Sequence, residues 1–150
     1  MERTQGFFHQ RETESDASRA ARQWQSVLAV IHRAASFEGE FRDRLRDAGM
    51  VPDEIRSLDD FSSIPVLRKK DLSRLQREKG LSWFLSCAPG RLSRIYQSPG
   101  PIYDPEGSSP DYWGWTEAFY AAGFRAGDLA QMTFSYHLTP AGLMLEEPLR

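Results

Sequence analysis

Residues 94–113 read RIYQSPGPIYDPEGSSPDYW, with Pro99, Gly100, Pro101, Pro105, Gly107 and Pro110 crowded into a stretch whose one side-chain cation is Arg94. Just upstream, residues 92–97 alternate in the manner of a strand. Just downstream, Asp111 suits the N-cap of a helix that contains Glu117, runs to Ala122 and is closed by Gly123. The stretch therefore reads as a loop between a strand and a helix, the position at which nucleotide-binding proteins hold phosphate. It has almost none of the residue types that phosphate needs.

Beyond this stretch, residues 124–128 (FRAGD) make a turn, and residues 129–134 are a short, mostly apolar run of the kind used for a buried strand. Thr139 suits the N-cap of a last helix, with Pro140 at the first helical position, where a missing amide hydrogen does no harm. Pro148 disfavours continuation past Glu147. The order strand, loop, helix, strand, helix predicts the beginning of an α/β layer with a parallel sheet. Two strands cannot make a sheet covered on both faces, so the sequence reads as the start of something larger.

Upstream of it, the chain is helical and more highly charged. Residues 15–36 place Ala20, Ala21, Trp24, Val27, Leu28, Ile31 and Ala35 at spacings of three and four, with Arg19, Arg22 and Arg33 available for the solvent side. Residues 38–48 present Phe41, Leu45 and Ala48 on one face and stop at Gly49. Pro52 and Asp53 begin a turn, Ser57 can cap a brief helical turn over residues 58–61, and residues 69–79 predict a helix with Leu72 and Leu75 inward and Gly80 at its end. Residues 80–90 (GLSWFLSCAPG) carry no assignable pattern. The expected organisation is a helical region over residues 1–80, followed by the start of an α/β subdomain over residues 81–150.

Composition narrows the classes of function. The chain has 150 residues and a formal net charge of −2, with no basic surplus to drive binding to a phosphate backbone, which argues against a nucleic-acid partner. Its single cysteine, Cys87, cannot form an intrachain disulfide, and no Cys or His spacing suggests a zinc site. No apolar run reaches the roughly 20 residues of a membrane span, and the N-terminus lacks a signal-peptide core. A cytoplasmic protein without a membrane partner is the expectation.

Several ordered segments resemble the N-terminal part of phenylacetate–CoA ligases, members of the adenylate-forming acyl-CoA synthetase superfamily. An Arg-x-Leu-x-x-Ala-Gly segment of that family is matched within residues 44–49 at Leu45, Ala48 and Gly49. A Pro-Asp-Asp-Ile-Arg-Ser-Leu-Asp-Asp-Leu segment is matched by residues 52–61, and a Leu-Pro-x-x-x-Lys-x-Asp-Leu segment by residues 64–72. A Gly-x-Arg-Pro-Gly-Asp turn is matched by residues 123–128. The similarity spans about residues 24–147.

The resemblance implies a reaction in which a carboxylic acid attacks ATP to give an acyl-adenylate, and the thiol of coenzyme A then displaces AMP. It implies ATP, Mg²⁺ and CoA as cofactors of a complete enzyme, and a small-molecule carboxylic acid as its ligand. The family's phosphate loop reads Ser-Ser-Gly-Thr-Thr-Gly-Lys-Pro. The corresponding residues here are Ser98, Pro99, Gly100, Pro101, Ile102, Tyr103, Asp104 and Pro105, of which Ser98, Gly100 and Pro105 retain the framework. Pro99 and Pro101 donate no amide hydrogen, and Ile102 has no hydroxyl. Asp104 stands where the lysine would be, and at about 4 Å from a phosphate oxygen this exchanges attraction for a repulsion of about 4 kcal/mol per unit charge. On charge alone, restoring Lys at Asp104 and Gly at Tyr103 raises ATP affinity.

A second family feature is the aromatic strand end that lines the acyl pocket, matched by FSYHLTPAG. It implies Tyr136 and His137 as pocket wall and Gly142 as a small residue permitting close approach. His137 reads equally as an ordinary hydrogen-bonded histidine, and Met132, Phe134 and Met144 as core. The family's magnesium-binding, ribose-binding and C-terminal lysine motifs lie beyond this sequence, so no catalytic residue and no metal ligand is assigned, and the chain alone is expected to be inactive. Two other readings stand beside the ligase: a non-catalytic acyl-binding module, supported by Asp104, and a helical interaction protein that uses the stripe Trp24, Val27 and Ile31. Their partners would be the remainder of an enzyme or a second copy.

Overall fold

A computed structural model describes residue 3 and residues 5–150. Helix α1 spans Asp16–Ala35, α2 Glu40–Asp47, α3 Leu58–Ser62 and α4 Lys69–Lys79. Strands β1 (Arg94–Ser98) and β2 (Ile102–Glu106) follow, then α5 (Thr116–Ala121) and α6 (Ala141–Glu146). The chain divides into two compact units. One comprises Met1–Arg19, Leu92–Pro99 and Asp104–Arg150, and the other Ala20–Arg91 and Gly100–Tyr103.

The helical unit is built as the periodicity predicts. Ile31 from α1, Leu45 from α2 and Ile55 form its buried centre, with Trp24, Val27, Ala35, Phe41, Met50 and Ile64 packed around them. Ala20, Ala21 and Ala48 are exposed, so the apolar stripes of α1 and α2 are shorter than expected. The short α3 owes its existence to its start. Ser57 Oγ accepts from the Asp60 backbone N–H at 3.1 Å while Asp60 Oδ2 accepts from that of Ser57 at 2.9 Å, a reciprocal capping box. Residues 81–91 form two single 3-10 turns, Leu81–Phe84 and Pro89–Arg91.

The other unit corrects the sheet. β1 and β2 pair antiparallel as a two-stranded hairpin, and no parallel pair occurs among the described residues. Residues 98–105 are therefore not a loop between a strand and a helix. Only residues 99–101 turn, and Tyr103, Asp104 and Pro105 lie in β2. The physical reason is proximity: closing a three-residue turn costs far less chain entropy than the long crossover a parallel neighbour requires. The expected strand over residues 129–134 is also absent, and Leu129 is fully exposed, at 101%. Further along, the Gln97 N–H donates to the Leu138 carbonyl at 2.7 Å.

Helix starts differ in detail. Trp115, not Asp111, is the N-cap of α5; Asp111 supports the helix start from upstream, its two carboxylate oxygens accepting from Trp115 N–H at 2.8 Å and Thr116 N–H at 3.1 Å. Pro140, not Thr139, is the N-cap of α6, and the chain tightens into a 3-10 turn at Glu147–Leu149 around Pro148.

Candidate functional site

The ends of the stretch 94–113 meet at Glu106. Its side chain is only 3% exposed, and it accepts hydrogen bonds from Tyr96 Oη at 2.7 Å and Trp113 Nε1 at 2.9 Å while pairing closely with Arg94. Burial pushes its pKa up, but the three donors outweigh burial and hold it below the ordinary value. Tyr96 responds in the opposite sense: burial and the neighbouring carboxylate push it up to about 12. With three donors converging on it, this buried carboxylate acts as a fastening. Sequence reading singled out Arg94 only as the lone cation of the stretch. That Glu106 opposes it becomes visible once the hairpin register is known.

At the tip, several of the donors that a phosphate would need are missing or committed. Pro99 and Pro101 have no amide hydrogen, and the Tyr103 N–H donates to Gln76 Oε1 at 2.8 Å. Gln76 Nε2 returns a bond to the Tyr103 carbonyl at 2.9 Å, so one buried side-chain amide of α4 engages both backbone groups of a strand residue. Ser73 Oγ donates to the Gly100 carbonyl at 3.1 Å. Gly100 has φ of +155°, and a Cβ there would lie 2.8 Å from Ile102 Cγ1. Ser98 ends β1, while Asp104 and Pro105 are held in β2. The predicted loop positions thus do not fit the phosphates of ATP: a pleated strand directs successive amides to opposite sides instead of converging them on one anion.

The acyl-pocket candidates separate. Gly142 is buried, and a Cβ there would come within 2.5 Å of the Ser135 carbonyl and 3.3 Å of Tyr136 Cγ, so only glycine lets residues 135–136 pass this close to α6. Tyr136 is nonetheless 45% exposed; its hydroxyl bonds to Glu146, which raises its pKa and lowers that of Glu146. His137 is exposed. Gly142 and Tyr136 are brought together, and His137 joins no described contact with them.

Two concavities bear on binding. In the helical unit a groove of about 520 Å³ is bordered by α2, α4 and Trp83. Most of its charges are paired: Arg46 pairs with Asp43 at 2.7 Å, Trp83 Nε1 donates to Asp43 at 3.2 Å, and Lys79 lies over the Trp83 ring. Arg44 pairs with Glu40, but its buried Nε has no hydrogen-bond partner. In the other unit, Phe8, Phe119, Tyr120 and Phe124 line a cavity of about 510 Å³ that pattern reading did not find, because its walls are far apart in sequence. No group of three or more His, Cys, Asp or Glu residues placed to hold a metal ion occurs among the described residues.

Fold and site together define an α/β chain carrying an antiparallel hairpin fastened by a buried carboxylate. No protein-family model matches the chain, and no curated protein matches it. No helix among the described residues is long and apolar enough to cross a membrane.

Proposed function

We propose that this chain is the N-terminal part of a carboxylic acid–CoA ligase of the phenylacetate–CoA ligase type, from a branch whose hairpin at residues 98–105 does not handle ATP. The observation that carries the reading is the order of the matched segments at residues 44–49, 52–61, 64–72 and 123–128. Three of the four also have a local structural use: Gly49 adopts φ of +68°, Ser57 caps α3, and Asp128 Oδ2 accepts from Arg125 N–H at 2.9 Å. In this reading Tyr136, His137 and Gly142 belong to the wall of an acid site. Any use of ATP, Mg²⁺ or CoA depends on residues other than those of the hairpin.

The clamped tip favours a second reading, a non-catalytic acyl-binding module of the same descent. Calorimetric titration of the chain with a panel of aryl and alkyl carboxylates tests what both share. Saturable acid binding that weakens in Gly142→Val supports an acid site. A chain that binds none of the panel loses both readings and leaves an interaction protein. Acid-dependent exchange of labelled pyrophosphate into ATP by the full-length gene product then separates ligase from module.

A further inference from the structure

We propose that residues 5–11 form a strap that opens and closes over the aromatic cavity on α5, held shut by ion pairs weak enough for salt to release. The proposal is independent of the ligase reading. Residues 5–11 cross α5 and the turn that follows it. Arg3 pairs with Asp128 at 2.8 Å, and Arg11 Nε donates to Glu117 at 2.9 Å, with His9 Nε2 at 3.7 Å from the same carboxylate. The Arg125 guanidinium lies 3.6 Å from the Tyr120 ring centroid and donates to the carbonyls of Arg3 and Gln5. Gly6, at φ of +94°, passes so near that a Cβ would sit 3.1 Å from Tyr120 Oη.

Two features make this segment a strap and not a fixed wall. Every residue from 5 to 11 is exposed, Phe8 at 44%, so the strap buries little of its own surface when closed. The side chains of Arg3, Arg11 and Glu117 are 67%, 52% and 37% exposed, and ion pairs at such exposure are individually weak and screened by salt. Yet the strap contributes Phe8 to the cavity, its ring centroid 5.7 Å from that of Tyr120. Other apolar walls include Phe119, Phe124, Ala130 and Leu149, while the charged lining residues Asp128 and Arg150 are paired with Arg3 and Glu146. The Arg125 donors are committed to the strap and to the Tyr120 and Phe124 carbonyls, which leaves an aromatic enclosure suited to a small, planar, uncharged molecule.

Limited trypsin digestion of the whole chain tests this, reading cleavage after Arg11 relative to cleavage after Arg91 so that effects of salt on the protease cancel. The ratio is expected to rise about five-fold between roughly 0.05 and 0.5 M sodium chloride. Glu117→Gln should reproduce the rise at low salt, and millimolar indole, the probe for the cavity, should lower the ratio by closing the strap on bound ligand. A ratio indifferent to salt and to Glu117→Gln overturns the strap. A ratio indifferent to indole overturns its role at the cavity.

Discussion

Glu106 shows how one residue organises a stretch that looks, by composition, like loop. Its carboxylate satisfies Tyr96 and Trp113 and pairs with Arg94, so truncation strands one buried and one part-buried donor as well as removing a charge. Glu106→Ala should cost about 3 kcal/mol in urea unfolding. Glu106→Gln, which keeps an acceptor but loses the charge, should cost about half of that. The pH dependence follows from the direction of the shift. A carboxyl held below its ordinary value of 4.5 contributes stability that is present above that value and is lost as pH falls through the folded pKa. Stability of the wild-type chain should therefore decline below pH 4.5 more steeply than that of Glu106→Gln. Parallel curves for the two proteins would show that Glu106 is not the group responsible.

Between elements, the tie of α4 to the hairpin tip makes the sharper forecast. Gln76→Ala removes both bonds to the Tyr103 backbone, so the Tyr103 amide should exchange with deuterium roughly 30-fold faster, equivalent to about 2 kcal/mol of lost protection, while α1 amides stay unchanged. Ser57→Ala, which removes half of the capping box, should destabilise the helical unit by about 1 kcal/mol in thermal unfolding.

These elements also mark how far sequence reading reached. α1, α4 and the start of α3 were legible because their signals are local: apolar spacing on α1, Gly80 after α4, and Ser57 three residues before Asp60. The hairpin was not, because Pro99, Gly100, Pro101 and Pro105 carry the composition of a loop while the forces that pair the strands come from elsewhere. Arg94 meets Glu106 twelve residues away and Tyr103 meets Gln76 twenty-seven residues away, separations at which no pattern rule operates. The apolar run at residues 129–134 misled for the complementary reason: apolar character marks a capacity for burial, and β2 already pairs with β1.

For the molecule as a whole, the structure revises the charge-based expectation at Asp104. If residues 98–105 were a flexible loop, lysine at Asp104 and glycine at Tyr103 would suffice to raise ATP affinity. Because both residues lie in β2 and the Tyr103 backbone is engaged by Gln76, a lysine at 104 would project from a strand instead of closing round an anion. Amide chemical-shift titration of the chain with MgATP, in the wild type and in the Tyr103→Gly, Asp104→Lys double variant, measures this directly. The amides of residues 98–105 should remain unmoved at millimolar MgATP in both proteins. Saturable shifts confined to those amides, in either protein, would show that the hairpin opens to meet phosphate and would contradict the reading given to it.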